Sequence, residues 1–329
     1  MLPLEPTPYS KDYEITDAMF GAFRSPGGMP FFWKLFGWST LLLTLVGLVV
    51  IPPSIELYFD LIKGSVMVDS NPEMASQFFV TLGKFFALII VYMVVYAAVL
   101  GIMRAAFFRT YFFGEDDRTI PLKFGADEWR QMVSMLGFYV LLIIVIIGPT
   151  LIAMLPITLL TVVLGDESIG LIILGVILSY LAAIAAYIWF GVRFCCAGAL
   201  TARRRHIHVI AARYVSRNRF WPIFGAILVA GVIGYAVYYI LMTFGIMIAF
   251  AGLMDGEFMT MVASTDPAAK MEFFDRVSQS TSFGLTSVVA ITLVSAGYAF
   301  YSLMLAGPEA YFTQQWAEAG GAPVEETVV

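Results

Sequence analysis

The stretch FFALIIVYMVVYAAVLGIM, residues 85–103, runs from Lys84 to Arg104 without one charged side chain. As a helix it is about 28 Å long at about 1.5 Å per residue. That is close to the ~30 Å thickness of a bilayer's hydrocarbon core. A run this long and this apolar reads as a membrane span, with little left over. Five others meet the same test. They lie between Lys34 and Glu56, Arg130 and Asp166, Glu167 and Arg193, Arg219 and Asp255, and Arg276 and Glu309. The third and fifth runs in chain order hold 35 uncharged residues each. At about 50 Å, they exceed one perpendicular crossing. Gly148-Pro149 and Pro156 are expected to kink the third run or end it early. No polar turn divides it, so it counts as one span and the total is six.

Composition agrees. Sixty per cent of the 329 residues are apolar and 13% are charged, with a mean hydropathy of +0.85. A water-soluble domain needs more charge than this to cover its surface, so the excess faces lipid. The first 30 residues carry Glu5, Asp12, Glu14 and Asp17 and lack an apolar core, so they do not read as a secretory signal. Cys195 and Cys196 are neighbours, poorly placed to bridge if helical, and read as small apolar filler, with lipidation or redox chemistry as the alternative.

Orientation follows from the basic residues. With a cytoplasmic N-terminus, the inner segments hold fifteen lysines and arginines, and the outer segments hold only Lys63, Lys84, Lys270 and Arg276. Such a bias places both termini in the cytoplasm. Trp33, Trp38, Trp129, Trp189, Trp221 and Trp316 all fall on or near the same inner side. The outer segments carry a net charge of −7, reading mainly as solvated surface.

Two spans begin alike. FFWKLFG (31–37) and RFWPIFG (219–225) both place Phe-Trp, two residues and Phe-Gly where a polar segment turns apolar. AFR (22–24) precedes one and AAR (211–213) the other. Downstream, NPEMASQFF (71–79) echoes DPAAKMEFF (266–274). The order and side match, which suggests an internal duplication of a two-span hairpin. Both copies start on the same side, so the repeat is parallel, unlike the inverted repeats of many transporters.

Before each hairpin lies a candidate interfacial helix: YEITDAMFGAF with Ile15, Met19 and Phe23; PLKFGADEWRQM with Phe124, Trp129 and Met132; and RRRHIHVIAARYVSR with Ile207, Ala211 and Tyr214. The competing reading is plain connecting loops. Gly175, Ser179 and Ala183, and likewise Ala226, Ala230 and Gly234, recur every four residues, the spacing that lets helix backbones pack closely.

Candidate chemistry is sparse. A charge at the bilayer centre costs about 2.5–3.5 kcal/mol or more, and no span interior places one there. Lys84 and Arg104 bracket the second span and are expected to snorkel; Arg193 closes the fourth. His206 and His208 read as interfacial polar residues, and Glu115-Asp116-Asp117 as a solvated turn, so no metal site is expected. No phosphate-binding loop or nucleophile elbow occurs. No catalytic residue or cofactor is expected. The concentrated charge is Arg203-Arg204-Arg205 with Arg213, Arg217 and Arg219. Each gains about 1 kcal/mol beside anionic lipid. A topology anchor is the plain alternative, and nucleic acid is not an expected partner because no soluble domain carries the patch.

At GALTARRRHIHVIAARYVSRNRFWPIFGAILVAGVIGY the chain resembles a group of bacterial inner-membrane proteins, best over spans 4 and 5 and more loosely over spans 1 and 2. The group includes the YciC-like proteins and the membrane domain fused to some glycerophosphodiester phosphodiesterases. The resemblance implies an all-helical inner-membrane bundle and transfers no activity. The expected organisation is an all-α polytopic bundle of three hairpins. Residues 1–32 form a cytoplasmic segment, 33–107 hairpin 1, 108–131 a loop, 132–194 hairpin 2, 195–219 a basic interfacial helix, 220–312 hairpin 3 and 313–329 a disordered tail. The expected function is a non-enzymatic scaffold or accessory subunit. It contacts anionic lipid or a partner protein through Arg203, Arg204, Arg205 and Arg213, with Trp33 and Trp221 as depth anchors; a homo-oligomer is the other partner considered, through the small-residue stripes. The alternative is a transporter or channel for a small or amphipathic solute, with a cavity near Tyr92, Tyr96, Tyr235 and Tyr238.

Overall fold

A computed structural model describes residues 15–70, 75–114, 120–164, 169–250 and 285–320. Among them, all regular structure is helical. α1 is Ile15–Met19, α2 Gly28–Ser70, α3 Ala75–Phe113, α4 Ala126–Leu164, α5 Ile169–Phe194, α6 Ala197–Arg204, α7 Ala212–Val215, α8 Phe220–Phe250 and α9 Leu285–Glu318. Lipid offers backbone amides no partner, so an apolar run must satisfy its own N–H and C=O groups and becomes helix. Six helices, α2, α3, α4, α5, α8 and α9, are long and apolar enough to cross a membrane. The described residues thus make the chain a multi-pass membrane protein, helical throughout their regular structure.

The helices outrun the charge-free stretches that announced them. α2 continues through Pro52 and Pro53 to Ser70, and Ser54 returns its hydroxyl to the Val50 carbonyl at 2.7 Å. NPEMASQFF is therefore no loop from Ala75 on, but the first turn of α3. α4 continues to Leu164 and is not ended by its prolines. α9 passes Pro308 and reaches Glu318, well into the segment expected to be tail. DPAAKMEFF, Glu115-Asp116-Asp117 and residues 321–329 lie outside the described residues.

Burial is concentrated at one end. α3 has no buried residue before Ala97, and its buried positions run from there to Thr110. Phe31, Phe32 and Leu35 of α2, Phe107 and Phe108 of α3, and Leu303 and Met304 of α9 share one cluster with Ala199 and Ala202 of α6 and Ala230 of α8. A second cluster joins α1, α5, α6, α7, α8 and α9 around Leu200, Ile223 and Phe312. These are the ends that carry the arginines, called here the arginine-rich end. Lipid tails are as apolar as leucine, so this packing rests on close van der Waals fit more than on escape from water.

α8 and α9 pack against each other closely. A Cβ on Gly297 would stand 2.9 Å from the Tyr238 Cα, a separation that only glycine permits. Ala226 and Ala230 are fully buried, and Gly234 is buried. The small-residue stripe on this helix thus serves packing within the chain. A Cβ on Gly307 would collide with the Ala22 backbone, because the turn after α1 presses on α9 just before Pro308.

The basic segment is broken. α6 stops where Arg205 takes a left-handed conformation, φ 55°, and α7 is a single turn. Between them Ile207 is exposed, while Ala211 is buried. Residues 203–217 therefore do not form the one continuous amphipathic helix expected of them. The PLKFGADEWRQM segment is likewise absorbed, from Ala126 on, into the start of α4.

Candidate functional site

The arginine-rich end is held by charge as well as by rings. Arg104 forms an ion pair with Glu309, joining α3 to α9, and their side chains are 17% and 8% exposed. The guanidinium also lies over the Phe108 ring, 5.5 Å from its centroid. Five residues on, Arg109 pairs with Glu128 at the start of α4, at 7% and 1% exposure. Arg109 Nη2 also donates to the Pro121 carbonyl at 3.1 Å. Arg104 does not snorkel. α3 runs nine residues past it and α9 nine past Glu309, so both charges sit inside helices that face each other. Desolvation of two such groups is repaid only when they meet, and an acid in the first turn of α4 gains further from the helix dipole.

Hydroxyls and an amide extend this layer to α6. Gln131 Nε2 donates to the Gly198 carbonyl at 2.7 Å. Thr201 Oγ1 lies 3.3 Å from Ser134 Oγ and accepts the His208 backbone N–H at 3.1 Å. Ser216 donates to the Arg193 carbonyl at 3.1 Å, tying α7 back to the end of α5.

The predicted contact arginines turn out to have internal neighbours. Arg203 bonds to the Gln314 amide oxygen and lies 5.6 Å from the Phe112 ring centroid. Arg204 lies over Trp316 at 5.2 Å and Arg205 over Phe113 at 5.0 Å. Arg213 lies over Tyr214 at 5.1 Å and donates to its hydroxyl at 3.2 Å. The triple-arginine run thus clasps the last turns of α3 and α9. Arg205 and Arg213 remain exposed at the rim, and Arg203 and Arg204 are half-buried.

Trp33 and Trp221 point outward, at 52% and 74% exposure. Each stands in a local Phe-Trp-Phe triad of the same geometry. Phe32–Trp33 and Phe220–Trp221 centroids are both 5.3 Å apart and edge-to-face. Phe32–Phe36 and Phe220–Phe224 are stacked at 6.5 and 6.2 Å.

The four predicted tyrosines come together through two that sequence reasoning missed. Tyr92 stacks on Tyr96 at 5.5 Å, Tyr96 meets Tyr298 at 4.9 Å, and Tyr298 meets Tyr238 at 6.1 Å. Tyr235 closes the group on Tyr238 at 6.0 Å and Tyr301 at 6.5 Å. The cluster sits near the middle of α3, about 12–18 Å from Arg104 by helix rise. Among the described residues no three His, Cys, Asp or Glu side chains converge as a metal site would require. Compared with known proteins, the chain matches no protein family, no curated protein and no solved structure.

Proposed function

We propose that this is a non-enzymatic protein of a bacterial inner membrane, with both termini in the cytoplasm. Its arginine-rich end holds anionic lipid headgroups or a partner protein at the inner leaflet, as a scaffold or accessory subunit does. The bias of basic residues supports the orientation. The resemblance to YciC-like proteins and to the membrane domain fused to phosphodiesterases supports the choice of membrane.

The observation that carries the reading is the pair of outward-facing tryptophans, Trp33 and Trp221, in matching ring triads where α2 and α8 begin. Indoles at that depth anchor in headgroups, and the exposed Arg205 and Arg213 stand in the same packed end. The same match supports a duplicated hairpin, α2–α3 and α8–α9, with α4–α5 as a third. The turn after α1 and the α6–α7 segment occupy the interfacial level.

The test is native mass spectrometry of the purified protein beside an Arg205→Gln/Arg213→Gln variant. The variant spares Arg203 and its bond to Gln314. Loss of bound anionic lipid, or of a copurifying subunit, is the expected result. Unchanged adducts would refute the contact. The transporter reading would need a passage at the tyrosine cluster. The ring contacts from Tyr92 to Tyr238 favour the scaffold over it.

A further inference from the structure

The joint between α5 and α6 is made by two adjacent cysteines. Cys195 is half-buried and Cys196 is 1% exposed. Both are free thiols, with their sulfurs 3.6 Å apart. Cys195 Sγ also lies 3.3 Å from the Val192 carbonyl, and the Cys196 carbonyl accepts the Leu200 N–H at 2.9 Å as α6 starts. The two sulfurs are thus placed by the ends of two helices.

The two thiols touch at the distance of a weak S–H···S hydrogen bond, a spacing that suits some bridging centres and not others. A disulfide needs about 2.05 Å between sulfurs. A linear two-coordinate ion with bonds to sulfur of about 2.3 Å would need roughly 4.6 Å. At 3.6 Å, a bridging atom with bonds of about 2.3 Å subtends an angle of roughly 100°. This is the angle of a pyramidal or tetrahedral centre. A tetrahedral zinc site takes three or four protein ligands, and among the described residues no group of three His, Cys, Asp or Glu supplies them. A three-coordinate pyramidal centre needs only two thiolates, and its third substituent comes with it.

We infer that Cys195 and Cys196 form a dithiol site for trivalent arsenic and its chemical relatives. In the binding step, arsenous acid exchanges two hydroxyl groups for two sulfurs. Two S–H bonds and two As–O bonds break, two As–S bonds form and two waters leave. Arsenic stays trivalent, so no oxidant or reductant takes part. The bridge closes a ring across one peptide bond and clamps the joint that carries Thr201 and the arginine clasp.

The test uses phenylarsine oxide on the reduced, full-length protein in detergent, read by intact mass. One phenylarsenic group per chain is expected, resistant to a monothiol wash and removed by excess 2,3-dimercaptopropanol. Cys195→Ser and Cys196→Ala should each weaken retention about a hundredfold, the gain a tethered second ligand provides. Far-UV circular dichroism of each variant checks folding, and Cys195→Ser, at the more accessible thiol, serves if Cys196→Ala fails to fold. Wild-type protein that captures no more than a Cys195→Ser/Cys196→Ser variant would overturn the site. So would a folded single variant that retains the group like wild type.

Discussion

Replacing Glu309 by methionine leaves the Arg104 guanidinium against Phe108 with its counter-ion gone. Breaking a buried pair costs about 3–5 kcal/mol when both groups are dry. Arg104 keeps 17% exposure, which places the expected loss at the low end, about 3 kcal/mol. That lowers the folded-to-unfolded ratio by roughly a hundredfold. Replacing both residues with methionine removes both desolvation costs, so the double variant should be far less destabilised than the singles together. The assay is a reversible denaturant titration in mixed micelles, followed by circular dichroism, on wild type, Glu309→Met, Arg104→Met and the pair. A coupling of about 2 kcal/mol or more is expected. Single effects that add to within about 0.5 kcal/mol would show that the two groups do not interact and refute the argument.

Further outcomes follow from other contacts. Gly297→Val drives a side chain into the Tyr238 backbone and should cost about 1–3 kcal/mol by overpacking in the same titration, while Gly37→Val, with nothing within 4 Å, should be near neutral. Arg203→Ala loses both the Gln314 bond and the Phe112 contact, so amides of the last turn of α9 should exchange faster. Arg213→Ala, held only by its neighbour Tyr214 among the contacts above, should leave them unchanged. Lipids brominated near the headgroup should quench the fluorescence of a protein retaining only Trp33 or only Trp221 more than one retaining only Trp316, whose ring lies under Arg204. Thr201→Val removes the hydroxyl that accepts the His208 amide and should cost about 1 kcal/mol; Thr201→Ser should restore most of it.

Much of the architecture was legible because lipid imposes a one-dimensional rule. Charge-free runs of sufficient length must become helices, and the six runs reappear as six helices. Their ends were less legible. Charge was read as a boundary, but Arg104, Arg109 and Glu309 carry on as helix because each meets an opposite charge on a neighbour. The Phe-Trp starts were visible as a pattern, and the matching ring triads follow from helical spacing of the same residues. The continuity of residues 203–217 was misread, since the αL break at Arg205 leaves no glycine or proline as a signal.

From the sequence alone, then, come the number of helices apolar enough to cross, the charged end and the Phe-Trp starts, because these depend on each segment's own hydropathy and spacing. Which charges lie inside and which rings the arginines cover were decided only by the tertiary structure. The partners are 205 residues apart for Arg104 and Glu309 and 111 for Arg203 and Gln314. Nothing local in the chain records a contact that exists only once the helices pack.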